Sequence, residues 1–250
     1  MENKRAQYYR EKIKTLIGLP TLPTIAIEIQ NIMREDKLSV IQTVPIIEQD
    51  PSLALKILKV ANSAFYGMRE KVNSLRAAVV IIGMRDLTGI VLGFSVLKTL
   101  SKTEDASELD WKKFWEHSIA VGHIVELLDE ELGINFKDSL YSIGLLHDIG
   151  QLVLYRIEPL EYEKAYKFSM SEKISLIQAE EQVIGITHQQ AGQWIAERWG
   201  LSPLIQTVNG NHHNPSNIED VELRLAAALV QLASYIADSI HMNFGYRKLK

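Results

Sequence analysis

Apolar residues recur three and four positions apart along most of the chain, the spacing that places them on one face of an α-helix. We find no stretch with the strict apolar and polar alternation of a β-strand. Most periodic stretches also have their own start or stop signal, such as Asp50-Pro51 before one helix and Gly133 after another. The pattern therefore predicts an all-α protein.

The helix predictions fall into two sets, separated by the polar and aperiodic segment at residues 101–110. The first set comprises 4–17, a helix capped by Thr24, another capped by Ser39, 51–65, a helix between Ser74 and Gly83, and 86–100. The second set comprises a helix from the Asp110 cap to 132, then 138–148, 151–156, 159–169, 174–184, 188–198, 203–212 and 220–240. We therefore predict a helical bundle of residues 1–103 packed on a second bundle of residues 104–250.

The charges differ between these two parts. Residues 1–103 carry 15 Lys and Arg against 9 Asp and Glu, whereas residues 104–250 carry 12 against 22. The basic residues of the first part are interspersed, and no aromatic stacking motif accompanies them, so we do not expect nucleic-acid binding. The contrast supports the predicted boundary.

The composition is that of a globular protein, with 46% hydrophobic and 23% charged residues in 250. The chain has no cysteine, which excludes disulfides, thiolate catalysis and cysteine-ligated zinc or iron–sulfur sites. A bound metal would need His, Asp or Glu ligands. The N-terminal residues lack the apolar core of a signal peptide, and no apolar run is long enough to span a membrane, so we expect a cytoplasmic protein.

The histidines are the main candidates for chemistry, and His147 is followed directly by Asp148. On one helix these two side chains would diverge by about 100°. Both could therefore bind the same ion only if that ion lay in the wedge between them. Imidazole with carboxylate suits zinc, iron, manganese or magnesium. The alternative is a hydrogen-bonded network at a helix end, with Asp148 as the acceptor. We expect His123 and His241 to be core or exposed residues.

Two further groups of residues have structural and functional interpretations. Trp111, Phe114 and Trp115 could line a ligand pocket, but aromatic residues at this spacing are more often core residues. Asn62 is unusual in an apolar helix, so we expect it to hydrogen-bond a neighbouring backbone segment, with contact to a partner as the second interpretation.

A set of motifs appears in a fixed order along roughly residues 17–240. They are DP, KVANSA, FWEHS, LLHDIG, THQQAG and a closing HH. This set closely resembles the HDOD family, the HD-related output domains of bacterial signalling, which is similar to the HD and HD-GYP phosphohydrolases. The resemblance implies that the second bundle is HD-like.

The resemblance also implies a metal site. Its residues in this chain are His117, His147, Asp148, His188, His212 and His213. The closing aspartate of the V-x-x-A-D motif of the HD phosphohydrolases is Ser234 here. Asp238 lies one turn further along, about 6 Å away, and would replace it only if the helix shifted. Gln151 replaces the lysine of HDIGK, and the GYP loop is missing. A catalytic pair of metals needs anionic ligands to bridge the ions and activate water, so we assign no catalytic residue.

The resemblance points to a non-catalytic signal-transduction module that acts through protein–protein interaction, in cyclic di-GMP or motility signalling. Its regulatory partner, such as a diguanylate cyclase or a kinase, would bind in trans. The alternative is a metal-dependent phosphohydrolase, a phosphodiesterase that uses the histidine set, so the sequence leaves enzymatic activity open. In either case the cofactor would be a divalent ion, Fe, Mn, Zn or Mg, held at a degenerate HD site.

Overall fold

The fold is all-α, as predicted, in the part of the chain that the computed structural model describes. Those residues are 4–15, 25, 28–29, 39–62, 66–100, 109–134, 136 and 140–240, with backbone alone for 85, 92 and 95–100. They include no strand. Most of the predicted helix capped by Thr24, most of the polar segment at residues 101–110, and His241 lie outside the described residues.

The helices follow the predicted order. Those before the polar segment are α1 (Lys4–Thr15), α2 (Val40–Glu48), α3 (Pro51–Ala61), α4 (Leu75–Ile82) and α5 (Met84–Leu100). Those after it are α6 (Trp111–Leu132), α7 (Leu140–Leu146), α8 (Ile149–Ile157), α9 (Pro159–Glu172), α10 (Leu176–Val183), α11 (His188–Arg198), α12 (Pro203–Asn211) and α13 (Val221–Ser239). None of these described helices has both the length and the apolar character needed to cross a membrane.

Two hydrophobic clusters hold these helices together. The first is built mainly from α3, α4 and α5, and the second from α6 to α13. Helix α1 belongs to the second cluster, where its Tyr9 and Ile13 are buried and where it packs against α11. The clusters are therefore not consecutive in sequence, and the division at residues 103 and 104 stays a prediction.

Helix α7 lies between the two clusters and belongs to both. Tyr141 and Leu145, four residues apart on one face, are buried in the first cluster. Leu140, Ile143 and Leu146 are buried in the second. All seven residues of this helix are buried, because it packs against α5 on one side and α6 on the other.

Helices α6 and α7 approach each other closely at two glycines. A Cβ atom added to Gly144 would lie 2.8 Å from the Cα atom of Gly122. Such a distance between a Cβ and a backbone atom is not tolerated, so glycine is required for this packing. The two helices therefore make direct backbone contact.

Asn62 fastens the end of α3 to the segment before α4, as expected from its position. Its side-chain amide donates to the carbonyl groups of Val72 and Leu58, at 2.9 and 2.7 Å. Its side-chain oxygen accepts from the Val72 backbone N–H at 2.8 Å. Both polar groups of Val72 are thus satisfied by one side chain.

Candidate metal centre

His147 and Asp148 lie in a turn between two helices and not on one helix. The predicted helix over 138–148 is wrong in this respect, because α7 ends at Leu146 and α8 begins at Ile149. The turn brings the two side chains together, with His147 Nε2 3.3 Å from Asp148 Oδ2. The divergence of about 100° expected for neighbouring helical side chains therefore does not apply.

Asp148 is the centre of the cluster. Its Oδ1 atom lies 3.4 Å from His188 Nε2 and 3.2 Å from His212 Nε2. His188 is the first residue of α11, and His212 follows the end of α12. Helix ends from distant parts of the chain therefore supply the side chains around this carboxylate.

All six residues of the predicted site come together in two groups that share Asp148. The first group is His117, His147 and Asp148, and the second is Asp148, His188, His212 and His213. Within each group the potential ligand atoms all lie within 4.8 Å of one another. Five of the six residues are buried, and His213 is partly buried. Two neighbouring sites with one common carboxylate are the expected layout of a two-metal centre.

Three of the imidazole rings are oriented by their second nitrogen. The Nδ1 atom of His147 lies 2.7 Å from the carbonyl oxygen of Gly144, and that of His212 lies 3.2 Å from the carbonyl oxygen of Val208. A carbonyl oxygen can only accept a hydrogen bond, so each Nδ1 carries the proton. The Nε2 lone pairs therefore point toward Asp148, which is the arrangement of metal-binding histidines.

His188 is oriented by a buried carboxylate. Glu180, on α10, accepts from the His188 Nδ1 atom at 2.7 Å and from its backbone N–H at 2.8 Å. The Nε2 atom of His188 is left facing Asp148 and His213, whose own Nε2 atom is 3.1 Å away. A carboxylate behind a ligating histidine also increases the basicity of the ring.

The buried polar atoms at the centre fit a divalent cation. Asp148 Oδ1 and His212 Nε2 are inaccessible to solvent and make no hydrogen bond with any described residue, although they are only 3.2 Å apart. Buried polar atoms without hydrogen bonds are costly, and a shared metal ion would satisfy both. The six residues could therefore hold such an ion, which would supply a Lewis acid for a phosphoryl oxygen or a water molecule.

The electrostatics of Asp148, His212 and His213 agree with this fit. Burial raises the pKa of Asp148, but His147, His212 and His188 together lower that pKa well below its ordinary value, so the side chain is a carboxylate. Burial lowers the pKa of His212 to about 4 and that of His213 to about 2. Ionised carboxylate and neutral imidazole are the forms that bind a metal.

Ser234 and Asp238 approach His117 from the same helix, α13. The Ser234 hydroxyl oxygen lies 3.4 Å from His117 Nε2, and Asp238 Oδ1 lies 3.6 Å from His117 Nδ1. The neutral hydroxyl thus faces one ring nitrogen of His117, and the carboxylate faces the other. Asp238 reaches the buried His117 ring without a helix shift, although its own side chain is half-exposed. A cavity of about 340 Å³ opens beside these residues.

Gln151 is part of an internal network. Its amide donates to Asp148 Oδ2 at 2.7 Å, and its oxygen accepts from the Tyr162 hydroxyl at 2.8 Å. Both functional ends of the side chain are therefore engaged. The residue orients Asp148 and adds no positive charge to the cavity.

The HDOD domain family matches residues 19–215 of the sequence. The chain belongs to the HDOD family. An uncharacterized protein from Treponema pallidum (strain Nichols) is 28% identical over 214 residues, which cover 81% of this chain and 39% of that protein. The chain therefore spans about two fifths of the length of the curated relative it matches.

Solved structures share the HDOD fold. An HDOD domain protein of unknown function from Geobacter sulfurreducens has a TM-score of 0.83 and 26% identity, covering 99% of this chain and 82% of that one. A candidate signal transduction protein from Marinobacter aquaeolei VT8 has a TM-score of 0.78 and 22% identity, with coverages of 99% and 57%. A candidate metal-dependent phosphohydrolase from Shewanella amazonensis SB2B has a TM-score of 0.63 and 21% identity, with coverages of 95% and 85%. The last two similarities concern the fold alone.

Glu180 belongs to this site but was not expected from the sequence. Glu180 is completely buried, whereas the adjacent Glu181 is exposed. The available signal was the helical register, since Glu180 follows the buried Ala179 on the inner side of α10. Register alone does not indicate which imidazole a carboxylate will meet.

Proposed function

We propose that this HDOD chain is a metal-binding regulatory module that acts on a protein partner and does not hydrolyse phosphate esters. The observation that carries the proposal is the position of Ser234. A neutral hydroxyl faces His117 Nε2, where the resemblance to HD phosphohydrolases would place a carboxylate. The centre keeps Asp148 and the histidine donors for an ion, but a neutral hydroxyl stands at the position of the second carboxylate.

Metal binding is supported by the converging donors. Asp148 is ionised, the Nε2 atoms of His147, His188 and His212 face it, and each of these rings is fixed by a hydrogen bond at Nδ1. Such positioning lowers the entropic penalty of ligation, because the rings are already oriented. We assign His117 and His147 to one ion and His188, His212 and His213 to the other, with Asp148 between them.

The charges at the centre support the absence of hydrolysis. Asp148 is the carboxylate that both groups share in the described part of the chain, and no second carboxylate lies in either group. Asp238 lies 3.6 Å from His117 Nδ1 and belongs to neither group, and Gln151 is neutral, with both ends of its side chain hydrogen-bonded. Water activation between two cations depends on anionic ligands to hold the ions close together.

A regulatory role follows from where the ligands lie. An ion would join α6, the turn between α7 and α8, the start of α11 and the end of α12. Its binding free energy would then appear as stability of the second cluster, so a partner could distinguish loaded from empty protein. The resemblance suggests a diguanylate cyclase or a kinase as partner in cyclic di-GMP or motility signalling, and the Marinobacter relative is described as a candidate for signal transduction.

The first experiment measures metal binding. Protein purified without chelator should contain Fe, Mn, Zn or Mg by elemental analysis, and adding the ion to chelator-treated protein should raise its melting temperature. At 100 times the dissociation constant the gain is about 2.7 kcal/mol. Asp148→Asn should abolish the shift, whereas Glu172→Gln, an exposed carboxylate on α9, should keep it. No metal and no shift would contradict the proposal.

The second experiment measures hydrolysis. The native chain, loaded with Mn or Fe, should not turn over cyclic di-GMP or bis(p-nitrophenyl) phosphate. Ser234→Asp restores a carboxylate beside His117 and should create measurable activity toward the generic diester. Turnover by the native chain would overturn the non-catalytic assignment.

The second candidate function is a metal-dependent phosphohydrolase. It is favoured by the full set of histidines beside a cavity of about 340 Å³, and the Shewanella relative is described as a candidate enzyme of this class. In that case Asp238 would supply the second carboxylate. Asp238→Asn would then abolish turnover by the native chain, whereas the regulatory proposal expects no turnover to lose.

A further inference from the structure

A second cavity, of about 350 Å³, lies between α3, α5, α6 and α7, away from the candidate metal centre. Helix α6 contributes Trp115, Ile119 and His123 to its wall, at positions four residues apart and therefore on one face. His117 lies two residues from Trp115 and points to the metal centre instead. The two cavities thus use different faces of the same helix.

The wall of this second cavity is mainly apolar and aromatic. Phe94 from α5, Trp115 from α6 and Tyr141 from α7 line it, together with aliphatic side chains. Trp115 and Tyr141 are buried, and His123 lies against the Tyr141 ring with 4.8 Å between centroids. Such a lining suits the apolar body of a small molecule, and the volume is at the lower end of the usual 300–1,000 Å³ for ligand sites.

Among the described lining residues, the lysines lie on one side of the cavity, on α3. The ammonium nitrogen of Lys56 lies 5.0 Å from the centre of the Phe94 ring. Lys59 follows almost one helical turn later, also lines the cavity, and is exposed. Neither lysine forms an ion pair with an acidic residue among those described. Burial lowers the pKa of His123 to about 4, so this histidine is neutral near pH 7. The site therefore combines an apolar interior with two cations at its rim.

We propose that this cavity binds a small amphipathic anion, with an apolar chain between α5, α6 and α7 and an acidic head group at Lys56 and Lys59. The head group can be a carboxylate or a phosphate, because a lysine ammonium binds either as a point charge. A neutral or cationic molecule of the same shape would lack the electrostatic contribution.

Binding here would also be felt at the metal centre. Tyr141 and Leu145 line the cavity, and the carbonyl group of Gly144, between them in sequence, orients His147. Helix α7 is short and buried, so a ligand pressing on it would displace His147. This consequence rests on the proposed metal site, whereas the binding of the anion does not.

The test uses chelator-treated protein and four probes with the same ten-carbon chain: decanoate, decyl phosphate, decanol and decyltrimethylammonium. Isothermal titration calorimetry should give saturable one-to-one binding for the two anions, at least 10-fold tighter than for the alcohol and the cation. Comparing decanoate with decyl phosphate distinguishes the two head groups. The indole N–H signal of Trp115, assigned with Trp115→Phe, should shift on titration.

Two variants separate the head-group contribution from the cavity itself. Replacing both lysines, Lys56→Met with Lys59→Met, should reduce anion binding to the level of decanol, whereas Lys71→Met, an exposed lysine outside the cavity, should change nothing. Ile119→Trp should fill the cavity and abolish binding of all four probes. Neither Lys56 nor Lys59 is buried, so the double variant should fold even if Ile119→Trp does not.

The proposal is overturned if no probe binds, if decanol binds as tightly as the anions, or if the double lysine variant keeps the anion preference. Binding that survives in folded Ile119→Trp would place the ligand elsewhere and would also overturn it. Because the protein is metal-free in this test, failure of the metal-site proposal leaves the result unaffected.

Discussion

Glu180 accepts two hydrogen bonds from His188, one from the ring Nδ1 atom at 2.7 Å and one from the backbone N–H at 2.8 Å. One carboxylate therefore caps the start of α11 and also orients the first side chain of that helix. Burial lowers the pKa of His188, but Glu180 and Asp148 outweigh it and raise that pKa to about 9. The positive charge that this site favours can be a proton or a metal ion.

Glu180→Gln should weaken metal binding by about 10- to 100-fold, the usual effect of removing the partner behind a ligating histidine. Glutamine can still accept a hydrogen bond but lacks the negative charge. A competition titration with a chromophoric chelator measures the affinity. Glu181→Gln, at the neighbouring exposed position, is the matched control and should bind as the native chain does. Equal affinity of both variants would show that Glu180 is purely structural.

Gly150→Ala should destabilise the chain by about 1–3 kcal/mol, the range for overpacked sites. A Cβ atom at Gly150 would lie within overlap distance of the carbonyl oxygen of His188, and backbone cannot move aside as a side chain can. Gly210→Ala is the control, because the nearest atom there is the mobile tip of Gln193, at 2.5 Å. That variant should be neutral or about 1 kcal/mol more stable, since alanine favours helix. Urea unfolding of both variants decides the point.

Asn62→Ala should lower the free energy of unfolding by about 1–3 kcal/mol, because the amide and carbonyl groups of Val72 lose their hydrogen-bond partner. Asn214→Ala replaces an exposed asparagine and should change stability by less than about 0.5 kcal/mol. Denaturant titration followed by circular dichroism measures both. If Asn62 serves only as a contact for a partner, Asn62→Ala will be as stable as the native chain.

The free energy of unfolding should decrease as the pH is lowered, partly because of His123. Burial lowers the pKa of this residue in the folded chain to about 4, whereas the unfolded chain has an ordinary value near 6.5. Between these two pH values the unfolded state binds a proton that the folded state does not. The contribution of neutral His123 to stability is therefore fully present above about pH 6.5 and is lost as the pH falls to about 4. The Tyr141 ring faces His123, and Lys56 and Lys59 line the same cavity.

The measurement is the difference in unfolding free energy between the native chain and His123→Gln, at pH 7 and at pH 4.5. The glutamine variant should lose about 1–2 kcal/mol less stability over this interval, a value discounted for the partial exposure of the ring. Subtracting the two curves removes the titration of the other histidines. Parallel curves would show that His123 does not contribute.

Much of the fold was predictable because local signals and periodicity agree. The Asp50 carboxylate caps α3 as its position before Pro51 predicted, accepting from the backbone N–H groups of Ser52 and Leu53 at 3.0 and 3.2 Å. Gly133 ends α6 in the left-handed conformation. The predicted all-α class and the HDOD resemblance are both confirmed.

The break at His147 was not predictable, because tertiary contacts produce it. The residues on both sides, Leu146 and Ile149, continue an apolar helical pattern, and no proline interrupts it. The turn depends on α8 packing against the start of α11, where Gly150 meets the backbone of His188. A contact between residues so distant in sequence leaves no periodic signal.

The identity of the six site residues was predictable from the sequence, whereas their contacts with other side chains were not. The HDOD resemblance assigned the six residues that converge, although their role as metal ligands stays a prediction. Glu180 and the approach of Asp238 to His117 depend on how α10 and α13 pack, which no spacing reveals. Trp111 and Phe114 are core residues, as expected, but Trp115 also lines the second cavity.

The glycine contact between Gly122 and Gly144 limits how the metal centre can move. Because no side chain separates the two backbones at this point, no side-chain rearrangement can compensate for a displacement of α6 or α7 alone. His117 belongs to α6, and His147 directly follows α7. A signal that moves one of these imidazole rings should therefore move the other as well, so the two candidate ligands are mechanically coupled.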